Sequence, residues 1–259
     1  MNPARTRLIW ITDPHLGHAR EAGTLPAFLS SLKEACAGAD GLIVTGDFAE
    51  SRELESFILE IAQAAATDVH FVLGNHDYYG GYVEEVRERV LALADRHASL
   101  TYLHRHGPVS LPGHVALVGT DGWGDARLGN WSSSKVILND FHLVYDLAPL
   151  PSPELLARLR ALGDESAVHL ERVLADALRE HDQVVVATHV PPFADAAWHE
   201  GKRSDPDTRR PSPPRPQGDR SRGYVSRFCS RCLREYRLAW FLAWIFVAAS
   251  AVWDATCCQ

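Results

Sequence analysis

Metal-competent side chains follow four strand-like segments of the sequence, each at the point where the segment ends. The segments are residues 8–12, 41–45, 69–73 and 184–188, and each is almost continuously apolar. The polar residues that follow them are Asp13 and His15, then Asp47, then Asn75, His76 and Asp77, and finally His189. Because the carboxyl ends of parallel strands open onto one crevice, we expect these side chains to converge there. Carboxylate, imidazole and amide groups form a mixed nitrogen and oxygen ligand set that suits Mn, Fe, Zn or Co.

Each of these positions also has an ordinary structural interpretation. Gly46-Asp47 alone is typical of a turn, and Asn75 or Asp77 alone is typical of a helix N-cap. His189, which precedes Val190 and two prolines, is compatible with a hydrogen-bonded residue at a strand end. Four occurrences of the same kind, all at the ends of strands, favour one shared site over independent caps and turns.

The elements that position these residues alternate along the chain. Longer amphipathic segments with helical spacing lie at residues 25–37, 51–66, 82–96 and 152–181. Short apolar strands between such helices are typical of a parallel sheet that is buried on both faces. Residues 99–119 break this alternation, because turn residues divide them into the short strands of an antiparallel meander. The sequence therefore predicts an α/β body with a largely parallel sheet and a second set of antiparallel strands.

Composition and charge divide the chain into two parts. The 259 residues are 46% hydrophobic and 23% charged, with a net charge of −7, so the composition offers no signal for nucleic-acid binding. Residues 202–259 hold eleven Lys and Arg against five Asp and Glu, whereas residues 1–201 hold fifteen against 28. Cys36 is the single cysteine of the first part, which fits a reducing compartment. No signal peptide precedes the first strand, so we expect a cytoplasmic protein.

Four short blocks resemble the calcineurin-like metallophosphoesterases in their order and spacing. The blocks are Asp13-x-His15, Gly46-Asp47, Gly74-Asn75-His76-Asp77 and Thr188-His189. The third block is fairly specific, and its combination with an Asp-x-His block near the N-terminus argues against chance agreement. The resemblance covers about residues 7–200. It implies a two-sheet β-sandwich flanked by helices, with a dinuclear metal centre at one end.

The resemblance also implies a ligand set for two divalent ions. Asp13 and His15 would bind the first ion, Asp47 would bridge both ions, and Asn75 and His189 would bind the second. A bridging carboxylate can hold two ions about 3.5–4 Å apart, and such a pair clamps the attacking and leaving oxygens of a displacement at phosphorus. The implied reaction is hydrolysis of phosphomonoesters or phosphodiesters by a hydroxide that bridges the ions.

Two further residues of the third block have catalytic roles under this resemblance. His76 would not be a ligand but would lie near the leaving-group oxygen, as a proton donor or a stabiliser of the transition state, and Asp77 would orient it. An imidazole suits general-acid work because its ordinary pKa lies near the operating pH.

Residues 121–127, which follow a strand-like segment, admit two interpretations. In the first they form a substrate loop, in which Arg127 binds a phosphate group and Trp123 offers a stacking face. In the second they form an ordered surface loop, and Trp123 covers the core. The sequence slightly favours the substrate loop.

The chain departs from the family pattern in its last block. The family ends with Gly-His-x-His on a late strand, which supplies one ligand to each metal, and this sequence has no such block after His189. Each metal would therefore lack one protein ligand. Two hypotheses follow: a metallophosphoesterase with weakly held ions, and a catalytically impaired binding or regulatory protein of the same fold.

The tail, residues 203–259, has three alternative interpretations. Residues 238–253 are apolar except for Ser250 and suggest a membrane anchor, although sixteen residues are few for a bilayer span. Cys229, Cys232, Cys257 and Cys258 suggest a zinc site, but adjacent cysteines fit a tetrahedral ligand set poorly. The third interpretation is that the tail is out of frame, since the loss of the last block coincides with the reversal of charge. We favour the third.

These interpretations lead to two expectations for the whole chain. Residues 1–202 form a metallophosphoesterase domain that is incomplete at its C-terminal end, and the tail does not pack stably onto it. The expected partner is a phosphate-ester substrate. A membrane partner, with the protein anchored through residues 238–253, is expected only if the apolar tail is native sequence.

Overall fold

A computed structural model describes residues 6–127, 131–133 and 137–191 of the chain. It also describes the backbone of four short strands at residues 198–199, 202–203, 238–239 and 245–248. Apart from those four strands, residues 192–259 lie outside the described residues, and so do the four cysteines Cys229, Cys232, Cys257 and Cys258.

The first sheet is parallel throughout and carries three of the predicted strand ends. Its order along the sheet is the order of the chain, and its strands are β1 (Leu8–Ile11), β2 (Gly41–Thr45), β3 (Val69–Val72) and β4 (Leu100–Tyr102). Each neighbouring pair is parallel, so all four carboxyl ends lie at one edge of the sheet. Asp13, Asp47 and Asn75 follow β1, β2 and β3 at that edge.

The second sheet is mixed and carries the fourth strand end. Its strands are β5 (Val109–Leu111), β6 (Val115–Thr120), β7 (Gln183–Thr188), β10 (Leu238–Ala239) and β11 (Ile245–Ala248), in the order β10-β11-β7-β6-β5. β6 and β7 are parallel, and the other pairs are antiparallel. A separate two-stranded ladder joins β8 (Trp198–His199) and β9 (Lys202–Arg203).

The helices cover the outer faces of the two sheets. They are α1 (Leu16–Glu21), α2 (Leu25–Cys36), α3 (Leu54–Ala65), α4 (Val83–Arg96), α5 (Asp140–Leu143) and α6 (Ser152–Glu180). Side chains of α2, α3 and α4 pack with the first sheet in one apolar cluster. α6 is long enough to serve two clusters: Leu155 and Leu159 join the first, and Val173 and Ala177 pack against the second sheet.

The two sheets pack against each other through an apolar layer between them. Ile43 and Val72 come from the first sheet, and Leu117, Val185 and Ala187 come from the second. This layer places the end of β7 beside the ends of β2 and β3. The structure is therefore a two-sheet β-sandwich flanked by helices, which confirms the predicted fold class.

Two local predictions differ from the structure. Residues 99–119 do not form one antiparallel meander, because β4 pairs in parallel with β3 in the first sheet, and only β5 and β6 form an antiparallel pair in the second. The turn residues marked the strand boundaries, but which sheet each strand joins depends on its tertiary packing. The short helix α1, directly after His15, was not predicted.

The tail also differs from expectation where it is described. Ile245–Ala248 pairs with β7 as an antiparallel strand, so the prediction that the tail does not pack onto the body is wrong for these residues. Four consecutive apolar residues can continue the sheet beside β7, which has β6 on its other side. In the parts of the chain that the structure describes, no helix is both long enough and apolar enough to cross a membrane.

Candidate functional site

The loops that follow β1 and β2 hold the site through backbone hydrogen bonds. The N–H groups of Asp13 and His15 donate to the carbonyl oxygens of Gly46 and Asp47 at 3.2 and 3.0 Å. Asp13, His15 and Asp47 all adopt left-handed backbone conformations, with φ angles of 50°, 40° and 56°. Such conformations cost about 1–3 kcal/mol for a residue other than glycine, and they concentrate at functional sites. The two loops are thus locked together in a strained arrangement that directs their side chains into one space.

Two glycines allow these loops to approach each other. A Cβ atom at Gly46 would lie closer than 3.0 Å to the backbone of Gly74, and Gly46 also has a φ of 90°. A Cβ atom at Gly74 would overlap the Oδ1 of Asp47 and the ring of His189. The glycine in each of these two blocks is therefore required by close packing at the site.

Asp47 lies at the centre of the site and is 2% exposed. Its Oδ2 is 3.7 Å from the Nε2 of His15 and 3.9 Å from the Nε2 of His76. Its Oδ1 is 3.6 Å from the Nε2 of His189 and accepts the backbone N–H of His76 at 3.0 Å. Burial by itself would raise the pKa of Asp47, but the surrounding imidazoles and this backbone N–H hold the pKa below its ordinary value. Asp47 is therefore a carboxylate with one oxygen directed toward each side of the site.

His189 presents a ring nitrogen to two oxygen atoms. Its Nδ1 donates a hydrogen bond to the carbonyl oxygen of Thr45 at 2.7 Å, so the Nε2 of the neutral ring carries a lone pair. That Nε2 lies 3.1 Å from the Oδ1 of Asn75 and near Asp47. Burial alone would lower the pKa of His189, but Asp47 and Asp13 raise it above the ordinary value. A protonated ring would donate its Nε2–H to these oxygens, whereas the neutral ring would join them as a third electron-pair donor to a cation. The hydrogen bond from Nδ1 is the partner that metal-binding histidines usually have.

Asn75 is held by two residues that the sequence analysis did not identify. Its Nδ2 donates to the Oδ1 of Asp140 at 2.8 Å, and it lies 3.2 Å from the hydroxyl of Tyr79. Its Oδ1 faces His189. Asp140 follows no strand of the predicted sheet, and Tyr79 lies four residues beyond Asn75, outside the block that the strand-end pattern singled out, so the pattern gave no signal for them.

His76 lies in a row of rings along the site. Its ring meets that of His15 edge-on, with 4.8 Å between centroids, and lies 4.4 Å from the ring of Tyr79. His15 in turn stacks on His18 at 5.7 Å. The side chain of His76 is 27% exposed, so the ring is open to a ligand on one side.

Asp77 is buried and binds backbone rather than solvent. Its Oδ2 accepts the N–H groups of Asp47 and Gly74 at 2.9 and 2.8 Å, and its Oδ1 accepts that of Ala49 at 3.1 Å. Burial, together with repulsion by Asp47, raises the pKa of Asp77 well above its ordinary value, while these N–H groups act in the opposite direction. Asp77 thus fastens the loop after β3 to the loop after β2. Its predicted role in orienting His76 stays a prediction.

The side chains form two groups that share Asp47. In each group the ligand atoms all lie within 4.8 Å of one another, and the groups are His15, Asp47 and His76, and Asp13, Asp47 and His189. The predicted assignment instead placed Asp13 with His15 and left His76 outside the ligand set. The convergence of the predicted residues matches the strand-end pattern, and the carboxylate and imidazole donors fit divalent transition metals.

Comparisons with known proteins agree with the fold described above. Residues 6–209 match the calcineurin-like phosphoesterase family. The chain belongs to this family. A solved structure, that of a phosphopantetheinyl hydrolase from Mycobacterium tuberculosis, is similar in fold, with a TM-score of 0.54 and 20% sequence identity over 74% of this chain and 71% of that one. None of the curated proteins compared with the chain matches it significantly.

In this calcineurin-like phosphoesterase, a buried polar network lies behind the site. Asp121, which is 1% exposed, accepts the backbone N–H of Leu73 at 2.7 Å and the hydroxyls of Tyr78 and Tyr102 at 2.7 and 2.6 Å. The Nε of Arg87 lies 3.4 Å from the same carboxylate. Burial would raise the pKa of Asp121, but His104, Arg87 and these donors lower it below the ordinary value. The sequence placed Asp121 in a turn-rich loop and gave no sign of this network.

The structure separates the two residues of the expected substrate loop. Trp123 is 3% exposed and lies 5.4 Å from the ring of Tyr78 in the main apolar cluster, so the interpretation that it stacks on a substrate is wrong. Its large apolar surface is buried against the core instead. Arg127 is 31% exposed and pairs with Asp125 and, at 2.9 Å, with Asp164. Its predicted contact with phosphate stays a prediction.

Proposed function

We propose that this protein is a metal-dependent phosphoesterase that hydrolyses phosphomonoesters or phosphodiesters. The observation that carries the proposal is the position of Asp47, which is shared by two groups of metal-competent side chains at the common edge of the two sheets. A shared carboxylate between two such groups can hold two ions close together, as two-ion hydrolysis at phosphorus needs. Membership of the calcineurin-like phosphoesterase family supports the same chemistry.

The residues proposed to hold two divalent ions are those that the sequence predicts. Asp13, His15 and Asp47 serve the first ion, and Asp47, Asn75 and His189 serve the second, whereas the structure groups Asp13 with His189 and His15 with His76. When bound, such ions polarise a phosphoryl oxygen and lower the pKa of water. Asp47 provides one oxygen to each side, and Thr45 fixes the ring of His189 through its Nδ1. The identity of the metal is proposed as Mn, Fe, Zn or Co from the donor set alone.

His76 is the proposed proton donor to the leaving group. Its ring lies at the site and is partly exposed, so it can reach a substrate oxygen without rearrangement of the loop. The backbone of His76 is held by Asp47, and the loop that carries it is held by Asp77. Arg127 is proposed to bind a phosphate group of the substrate, for which it must exchange one of its two carboxylate partners.

The absent last block of the family pattern favours a second candidate function. Without the Gly-His-x-His residues, each ion has few protein ligands, and we expect weak binding that a chelator readily reverses. If the loss of these ligands abolishes catalysis, the protein would keep the fold and act in binding or regulation. The two candidates differ in metal binding and in turnover.

The proposed division of the chain concerns the same missing block. Residues 1–202 form the phosphoesterase domain, and residues 203–259 are a tail whose sequence is out of frame, although its Ile245–Ala248 pairs with β7. The nucleotide sequence beyond the codon for Lys202 tests this division: an alternative frame that encodes Gly-His-x-His supports it. A coding sequence with no such block in any frame contradicts it.

The decisive experiment compares the unmodified protein with Asp47→Asn and with a matched control. Metal-free protein is titrated with Mn²⁺, and hydrolysis of an aryl phosphomonoester and an aryl phosphodiester is measured at saturating Mn²⁺. Asp47→Asn keeps the side-chain size but removes the shared charge. We expect its Mn²⁺ affinity to fall by more than the roughly 10–100-fold that is typical when a hydrogen-bond partner of a metal ligand is removed.

Asp176→Asn is the control, because Asp176 pairs with Arg179 on the exposed side of α6 and makes the same chemical change. It should leave both Mn²⁺ affinity and turnover unchanged. If the unmodified protein is folded but neither binds Mn²⁺ nor hydrolyses either ester, the enzyme proposal is wrong and the binding protein is favoured.

A further inference from the structure

Asp140, at the first residue of α5, makes two hydrogen bonds with residues of the site. It is 8% exposed, and its Oδ1 accepts the Nδ2 of Asn75 at 2.8 Å and the hydroxyl of Tyr79 at 2.6 Å. It lies 65 residues beyond Asn75 in the chain. The resemblance to the phosphoesterase family assigns no role to either Asp140 or Tyr79.

The chemical consequence concerns the two ends of the Asn75 amide. An amide has an oxygen that accepts hydrogen bonds or binds a cation, and a nitrogen that can do neither. An ionised carboxylate accepts only, so Asp140 selects the orientation in which the nitrogen of Asn75 faces it. The oxygen is then left to face the Nε2 of His189 at 3.1 Å. The reversed amide would place an oxygen against the carboxylate and an NH₂ group against the cation site.

The position of Asp140 is itself fixed by the packing of α5. The carbonyl oxygen of Leu143, at the end of α5, accepts the N–H of Gly80 at 2.8 Å, and the N–H of Tyr145 donates to Gly81 at 3.0 Å. Asp146 accepts the N–H of Val83 at 2.6 Å. These bonds join α5 and the residues after it to the segment that follows His76, so Asp140 cannot move independently of the site.

Tyr79 connects the same carboxylate to His76. Its ring lies 4.4 Å from that of His76, while its hydroxyl donates to Asp140. Burial, reinforced by Asp140, raises the pKa of Tyr79, so its hydroxyl remains a donor at neutral pH. The Oδ1 of Asp140 therefore receives only donors, which are the Nδ2 of Asn75 and the hydroxyl of Tyr79.

We propose that Asp140 is a positioning residue that sets the amide orientation of Asn75 and thereby makes its oxygen available as a ligand for a divalent cation. The proposal rests on the proposed function, since it concerns how that metal site is prepared. Asp140 acts through Asn75 and does not bind the cation itself.

The test measures Mn²⁺ binding to the full chain by electron paramagnetic resonance, which does not require turnover. Asp140→Ala removes the acceptor, and we expect Mn²⁺ affinity at one of the two sites to fall by about 10–100-fold, as for other residues that orient metal ligands. Asp140→Asn should keep most of the affinity. Both neighbours of Oδ1 are donors, so the new amide turns its oxygen toward them. Tyr79→Phe removes a donor to Asp140 and the longer, 3.2 Å acceptor of the Asn75 amide, but it leaves the Asp140 acceptor in place, so it should also keep most of the affinity.

A second substitution separates orientation from charge and from folding. In an Asn75→Asp background the ligand has oxygen at both ends, so orientation no longer matters and Asp140→Ala should not weaken Mn²⁺ binding further. If Asp140 acted instead by attracting the cation, Asp140→Ala would weaken Mn²⁺ binding in both backgrounds. Thermal unfolding of each variant shows whether it is folded at the titration temperature. The Mn²⁺ affinity of the double variant is compared with that of Asn75→Asp alone.

Each result bears on one of the two proposals. Unmodified protein that binds no Mn²⁺ contradicts the proposed function. If the unmodified protein binds Mn²⁺ and Asp140→Ala binds it equally well, the role of Asp140 is wrong and the proposed function stands. A loss in Asp140→Asn as large as that in Asp140→Ala also overturns the role, because charge and not orientation is then what Asp140 supplies.

Discussion

Backbone strain at single residues coincides with the candidate ligands. Of the residues other than glycine that have positive φ in the described part of the chain, Asp13, His15 and Asp47 carry site side chains. Each conformation costs free energy that ordinary turns avoid by using glycine. The hydrogen bonds between the two loops and the clamp by Asp77 offset this cost. The strained residues are therefore held in place by the loops around them.

Gly74 provides a test of close packing at the residue scale. Gly74→Ala should place its methyl group against Oδ1 of Asp47, and overpacking of this kind costs about 1–3 kcal/mol in the free energy of unfolding. Mn²⁺ affinity should fall as well, because Asp47 must move. Urea unfolding and Mn²⁺ titration measure the two effects.

Gly107→Ala is the matched control, since a Cβ atom there meets nothing within 4 Å. It should leave Mn²⁺ affinity unchanged and should not lower stability, since Gly→Ala at an open position raises the free energy of unfolding by about 0.4–1 kcal/mol. Equal stability and equal Mn²⁺ affinity in Gly74→Ala would contradict the close approach of the two loops.

His76 provides a second test at this scale, because its position fits two roles. As a proton donor, His76→Ala should lower kcat by about 10²–10⁴-fold and leave Mn²⁺ affinity nearly unchanged. The loss should be smaller for an ester with a good leaving group, which needs no proton. A large drop in Mn²⁺ affinity would instead make His76 a ligand, as its distance of 3.9 Å from Asp47 also allows.

At the scale of elements, two buried carboxylates connect the ends of strands. Asp77 joins the loops after β2 and β3. Asp121, after β6, binds the N–H of Leu73 and the hydroxyl of Tyr102, while its own carbonyl oxygen accepts the N–H of His189 at 3.3 Å. It therefore joins the edge of the first sheet to the edge of the second. The candidate site spans this connection, because its candidate ligands follow strands of both sheets.

Asp121→Asn should destabilise the protein strongly. The amide nitrogen cannot accept the hydrogen bonds that the carboxylate accepts, and the buried guanidinium of Arg87 loses one of its counter-charges. Breaking a buried ion pair in this way costs about 3–5 kcal/mol. Urea unfolding measures the change.

The exposed pair of Asp176 and Arg179 again supplies the control, since Asp176→Asn should cost about 0–1 kcal/mol. If the two substitutions have the same effect, the Asp121 network does not stabilise the fold as its geometry indicates.

At the scale of the whole molecule, stability should fall in acid through a partly buried histidine. Burial, with a smaller contribution from His104, lowers the pKa of His169 from 6.5 to about 4. Between these values the unfolded chain takes up a proton that the folded chain does not, so the free energy of unfolding falls as the pH decreases. His169→Gln removes this uptake but keeps an NH₂ group that can donate to the carbonyl oxygens of Leu103 and Gly119.

The expected result is a shallower loss of stability in His169→Gln than in the unmodified protein between pH 6.5 and pH 4. Urea unfolding at several pH values measures it, with His97→Gln, at the exposed end of α4, as the control for the substitution itself. Identical pH profiles for the unmodified protein and His169→Gln would show that this group does not contribute.

The sequence by itself determined the strands of the body, most of its helices and the residues that end those strands. Gly41–Thr45 and Val69–Val72 are short apolar segments between amphipathic helices, and this local pattern is sufficient to predict buried parallel strands. Since parallel strands share one edge, Asp47 and Asn75 could be placed together without knowledge of the fold. The same argument placed His189 with them, although β7 belongs to the second sheet.

Only the tertiary structure decided what holds those residues and what surrounds them. Asp140 reaches Asn75 across 65 residues, and Asp121 reaches Leu73 across 48, so neither contact leaves a periodic pattern in the sequence. The aromatic ring of Trp123 suits both stacking on a substrate and covering the core, and only the packing showed that it lies in the core. Strand positions follow from the local alternation of apolar and polar residues, whereas hydrogen-bond partners follow from how distant segments pack. That is why the convergence of the candidate ligands was predictable and their hydrogen-bond partners were not.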